Sequence, residues 1–159
     1  MDIEARQLAV SRVFEAPRGL VYRAFTDPEH LAQWWGPIGN SVPRDEIEFD
    51  VRPGGLLRWT EISAGDADVR IRIRIELTDV IDGELLEGVM YVGGRLPDGL
   101  EPFATRLRIE FYDDGESRTR LEIRQWVPPH LAGPSEQGWQ QAFTKLDAAL
   151  TRAQNPERS

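Results

Sequence analysis

Hydrophobic and polar residues follow three different rhythms along the chain. Leu8 and Val10, with Val13 or Phe14, alternate well enough to predict a first strand within residues 5–15. Pro17 then suits the start of a helix, and Leu20, Val21, Ala24 and Phe25 fall at helical spacing, which predicts a short helix over 17–25. Asp27-Pro28-Glu29 reads as a second helix start: a capping side chain, a proline that needs no hydrogen bond, and an acid at the positive end of the helix. Leu31, Trp34 and Trp35 share one side of that helix before Gly36-Pro37 stops it.

Period-two patterning takes over next. Ile47, Phe49 and Val51 alternate, Arg52-Pro53-Gly54-Gly55 turns, and Leu57 and Trp59 return. Val69, Ile71, Ile73, Ile75 and Leu77 make the cleanest alternation in the chain. Asp82-Gly83 predicts a hairpin with a type I′ turn, and the strand over 86–92 that follows it alternates poorly. Leu107, Ile109 and Phe111 alternate, Asp113-Asp114-Gly115 turns, and Thr119, Leu121, Ile123 and Val127 form a last strand that Pro128-Pro129 ends. Residues 93–102, rich in glycine and proline, read as the mobile loop.

The third rhythm is helical. Trp139, Ala142, Phe143, Leu146, Ala149, Leu150 and Ala153 lie on one stripe, predicting a long helix over 135–153 with Ser135 as its N-cap. Gln140, Lys145, Asp147 and Arg152 fall on the opposite side. On this pattern Leu146→Ala should cost about 2–5 kcal/mol, and Lys145→Ala, on the solvent face, under about 0.5 kcal/mol. Seven antiparallel strands with two short helices after the first and a long terminal helix is an α+β arrangement. The helix stripe has one large apolar partner, the concave face of the sheet. A single domain over 1–154 with a fraying tail at 155–159 is expected.

Composition narrows the function classes. At 159 residues the chain can bury a core without staples, and with no cysteine it has neither disulfides nor thiolate chemistry. A net charge of −8 disfavours nucleic acid and anionic membranes as partners. The arginines at 70, 72, 74 and at 118, 120, 124 alternate with apolar residues and read as the solvated outer faces of two strands. No run approaches the roughly 18 apolar residues of a membrane span, and the N-terminus lacks a secretory pattern. A soluble, cytoplasmic protein is expected. His30 and His130 have no ligand-spaced companions, and no nucleophile elbow, phosphate loop or dinucleotide fingerprint occurs. No catalytic residue, metal or cofactor is therefore expected.

The segments Phe14-Glu15-Ala16-Pro17, 21–31 (Val-Tyr-Arg-Ala-Phe-Thr-Asp-Pro-Glu-His-Leu) and Gln33-Trp34-Trp35-Gly36-Pro37 resemble the opening signature of the family named for the activator of heat-shock-protein-90 ATPase. The turn Asp50-Val51-Arg52-Pro53-Gly54-Gly55, then Thr119-Arg120-Leu121 and Gly138-Trp139, resemble its later signatures, so the likeness spans nearly the whole chain. It implies the helix-grip fold of the START/SRPBCC superfamily, which hosts carriers, enzymes and co-chaperones alike. Val80-Ile81-Asp82-Gly83 departs from the family's usual proline-containing turn, which bears on one cavity rim. The name-giving co-chaperones carry a further N-terminal domain, whereas here the first strand begins almost at once, which weakens that role.

These readings set the candidate site. A cavity of roughly a few hundred Å³ is expected between sheet and helix, binding a small apolar or aromatic molecule. Trp59, Ile73, Met90 and Ile109 would wall it from the sheet and Trp139 and Phe143 from the helix. Trp34 is placed with them, although either indole of Trp34-Trp35 could instead be a wedge fixing the short helices. Arg52 either braces its turn through Asp50 or Glu76, or holds a ligand carboxylate. Glu76 faces outward by alternation; a bulge reversing it would make it a candidate base. The alternatives to a carrier are a cyclase- or aromatase-like enzyme, which needs an inward acid or base, and a chaperone-interacting domain, which needs an exposed apolar patch. A homodimer is compatible with all three.

Overall fold

A computed structural model describes residues 6–154. The expected tail at 155–159 lies outside the described residues. Strand β1 (Arg6–Phe14) is followed by helices α1 (Arg18–Thr26) and α2 (Pro28–Trp34), and a 3-10 turn at Arg44–Glu46 leads into β2 (Glu48–Asp50). Strands β3 (Leu56–Ile62), β4 (Arg70–Ile81), β5 (Leu85–Arg95), β6 (Phe103–Asp113) and β7 (Thr119–Val127) then run in succession, and α3 (Ala132–Gln154) closes the fold. Every strand pairs antiparallel in one sheet of order β1-β7-β6-β5-β4-β3-β2. The first and last strands in sequence are hydrogen-bonded neighbours, and α3 fills the concave face. This is the helix-grip arrangement.

Local chemistry accounts for the joints. The Asp27 side chain accepts from the Glu29 backbone N–H at 2.9 Å and caps α2, with Pro28 in the first turn. Helix α3 begins at Ala132 rather than Ser135, because Pro134 sits in its first turn, where no backbone N–H is needed. The β4–β5 hairpin forms as predicted, but only Gly83 adopts a positive φ (76°) and Glu84 N–H closes the turn on the Ile81 carbonyl, so the turn is not type I′. Strand β5 alternates poorly because Gly88 stands on its inner face. A Cβ there would lie 2.1 Å from the Glu76 carbonyl oxygen, next to a bulge between Leu77 and Asp79. That bulge follows Glu76 and leaves it facing outward.

The core divides into two halves. In one, Phe143, Leu146 and Leu150 of α3 pack solidly against the sheet and α1–α2. Phe14 meets Phe143 edge-on at 5.6 Å, and Tyr22 and Phe25 meet Phe111 at 5.2 and 5.5 Å. In the other half, around Trp139, the packing leaves a void. The convex face carries a lattice of paired charges, exposed or half-buried: Arg74 pairs with Glu76, Arg108 with Glu87 and Glu110, and Arg120 with Glu122. Among the described residues no helix is long and apolar enough to cross a membrane.

Candidate functional site

The void lies between the N-terminal half of α3 and the ends of β3 to β7, with the segment after α2 as its lip, and measures about 190 Å³. Ile71 and Ile73 of β4, Met90 and Val92 of β5 and Phe103 of β6 give it an apolar floor. Trp139 and Ala142 of α3 face them, and Trp35-Gly36-Pro37 forms the lip. The Trp35 and Trp139 rings are 5.4 Å apart, nearly perpendicular.

Two buried polar side chains reach this apolar space. Glu61 is 5% exposed and its oxygens accept from Trp35 Nε1 at 2.9 Å and Asn40 Nδ2 at 2.5 Å. Gln125, also 5% exposed, accepts from Trp139 Nε1 at 3.0 Å and donates through Nε2 to Thr105 Oγ1 at 2.9 Å and toward the Met90 sulfur at 3.6 Å. The Gln125 amide thus fixes the indole of the helix wall and the floor of the sheet in one network.

Lys145 holds the lip in place. Its Nζ, half-buried behind Trp35, lies within hydrogen-bonding reach of the carbonyls of Trp35, Gly36, Pro37 and Asn40 at 2.9–3.3 Å. Burial pushes its pKa below the ordinary lysine value, against the opposing pull of Glu61. Gln141, one turn earlier on α3, accepts from Ile38 N–H at 3.1 Å. The side chain assigned to the solvent face by helical spacing is therefore the clamp of the cavity lip, so Lys145→Ala is not a neutral change.

The model of the family described as Activator of Hsp90 ATPase homolog 1-like protein matches residues 15–151. The chain belongs to this family. No curated protein matches its sequence. Three solved relatives share the fold: protein CV1439 from Chromobacterium violaceum, 24% identical over 91% of this chain and 97% of that one, with a TM-score of 0.75; protein NE0264 from Nitrosomonas europaea, 22% identical over 98% and 99%, TM-score 0.73; and the AHSA1 protein SPO3351 from Silicibacter pomeroyi, 21% identical over 92% and 98%, TM-score 0.76. At these identities the likeness establishes architecture and leaves function to the site itself.

Against that family frame, the residues singled out in the sequence occupy different places. Ile73, Met90 and Trp139 line the cavity. Trp59 lies one ring behind the lip, 4.7 Å from Trp35, with its buried Nε1 lacking an acceptor among the described residues. Trp34, Ile109 and Phe143 belong to the solid half of the core. Trp34 is fully buried and donates to the Ala24 carbonyl at 2.9 Å, which makes it the wedge and leaves Trp35 at the cavity. Arg52 spans both oxygens of Asp50 at 2.9–3.0 Å and is largely exposed, and Glu76 pairs with Arg74. Glu76 lies on the outer face of β4, the opposite side of the sheet from the cavity, and Arg52 lies in the turn between β2 and β3. The family-atypical turn at Val80-Ile81-Asp82-Gly83 lies beside Tyr22, so it does not shape the cavity rim.

Glu61, Gln125 and Lys145 went unread in the sequence. Alternation does carry the first two: Leu57-Trp59-Glu61 and Leu121-Ile123-Gln125-Val127 each share one strand face, and that face is inward. A polar residue in phase with a buried row was the available signal. For Lys145 no such signal exists, since its acceptors are carbonyls of a loop whose path the side chain pattern does not encode.

Proposed function

We propose that the chain binds a small apolar or aromatic molecule in the cavity between α3 and the sheet. One observation carries this reading: an apolar chamber of about 190 Å³ into which Glu61 and Gln125, both buried, converge. Ligand sites combine mostly apolar walls with a few placed polar groups. Size sets the ligand class. An engineered apolar cavity of about 150 Å³ admits benzene, so the space against α3 suits a group of one or two rings. The absence of cysteine suits a reducing compartment such as the cytoplasm.

A second reading has one observation behind it. Glu61 is an inward carboxyl group against apolar walls, the requirement for proton-transfer catalysis on a bound molecule. The chaperone-binding reading has less support, since among the described residues the exposed large apolar side chains Val13, Ile38 and Ile81 lie apart in sequence, on β1, in the loop after α2 and at the end of β4.

Native mass spectrometry of gently purified protein tests the binding reading. Unmodified protein should carry a non-covalent adduct the size of a one- or two-ring molecule, lost when Ala142→Trp fills the chamber. An adduct that persists in that variant would place the ligand elsewhere.

A further inference from the structure

Apart from the half-buried Ser135 hydroxyl at the start of α3, which can donate or accept, the polar capacity left open to the cavity is of one kind. Both amide hydrogens of Gln125 are engaged, by Thr105 and Met90, and its oxygen already accepts from Trp139, which leaves it at most a further acceptor position. Glu61 is not spent. A carboxylate offers about four acceptor positions, and Trp35 Nε1 and Asn40 Nδ2 occupy one on each oxygen. The cavity therefore presents an acceptor in want of a donor, beside the perpendicular rings of Trp35 and Trp139.

Charge decides what kind of donor fits. Apolar walls oppose a charged donor, which would have to shed its water there, whereas the donors Glu61 already takes, Trp35 Nε1 and Asn40 Nδ2, are neutral. A neutral O–H or N–H meets no such opposition. We propose that the cavity selects a neutral one- or two-ring aromatic molecule that carries a hydroxyl or N–H donor, a phenol or indole, with that donor on Glu61. This rests on the binding reading above and specifies its ligand.

Calorimetric titration of the full chain with four probes of one shape tests it: p-cresol, p-xylene, 4-methylanisole and 4-methylbenzylamine. p-Cresol should bind about tenfold or more tighter than p-xylene, the usual size of a hydrogen bond to a charged group. 4-Methylanisole, which keeps the oxygen and loses the donor, should resemble p-xylene. In Glu61→Gln, where the acceptor is neutral, the preference for p-cresol should fall several-fold. The three neutral probes act on the unmodified protein, so the test stands even where the variant fails to fold. Equal binding of p-cresol, p-xylene and 4-methylanisole would overturn the donor assignment and leave the cavity reading intact. Tightest binding by 4-methylbenzylamine would overturn the neutrality of the ligand. No binding by any probe would overturn the cavity reading and this one with it.

Discussion

Lys145 and Leu146 are neighbours in sequence and take opposite routes to the same end, fixing α3. Leu146 is completely buried, and truncating it to alanine should cost about 2–5 kcal/mol through lost transfer energy and the hole left behind. Lys145 holds the lip instead, its three N–H groups shared among four carbonyls within reach. Lys145→Ala should cost about 1.5–3 kcal/mol, the range for hydrogen bonds involving a charged group. Gln140→Ala, on an exposed part of the same helix, should cost under about 0.5 kcal/mol. Urea melts of the three variants check the order; a Lys145→Ala loss no larger than that of Gln140→Ala would mean that the lip is not held by the ammonium. Helical spacing reports which side of the cylinder a residue occupies, not whether a loop crosses that side, and this is why Lys145 was misread while Leu146 was not.

Among the elements, those legible in the sequence are those whose partner face is continuous. The β4 alternation, the α2 cap and the α3 stripe each predict the observed element, because one rhythm meets one buried surface. Where backbone meets backbone the rhythm fails: Gly88 interrupts β5 to let the β4 carbonyl approach, and α3 starts three residues before the expected Ser135 cap, with Pro134 in its first turn. The β2–β3 turn shows the same physics at two adjacent glycines. Gly54 holds a positive φ of 84° with open space around it, whereas a Cβ on Gly55 would lie 2.0 Å from the Asp50 carbonyl oxygen. Gly54→Ala should cost about 1–2 kcal/mol, the strain of a left-handed residue. Gly55→Ala should cost about 3 kcal/mol or more, because main chain has to move. Thermal melts that rank the two the other way would show that the turn can relax around the added methyl.

Over the whole molecule, the fold was legible and the site only in part. The family resemblance and the order of elements specified sheet, helix and the space between them. Within that space the apolar rows located Ile73, Met90 and Trp139, but could not say where the core closes and where it stays open. The void sits where α3 presents Gly138 and Ala142 beside Trp139, while Phe143 and Leu146, less than two turns on, fill the other half. Trp34 and Trp35, adjacent and identical, separate on the same basis: one indole finds the Ala24 carbonyl inside the core, the other finds Glu61 at the cavity.

The five indoles make the central claim directly measurable. Trp35 and Trp139 border the cavity, Trp34 is sealed in the solid core, and Trp126 lies on the convex face under Arg106. In a nitrogen-15 NMR titration with p-cresol, with the side-chain signals assigned by single Trp→Phe variants, the Trp35 and Trp139 indole N–H resonances should shift together and saturate, and those of Trp34 and Trp126 should stay in place. Resonances of Trp35 and Trp139 that remain unmoved, or a largest shift at Trp126, would contradict a ligand site between α3 and the sheet.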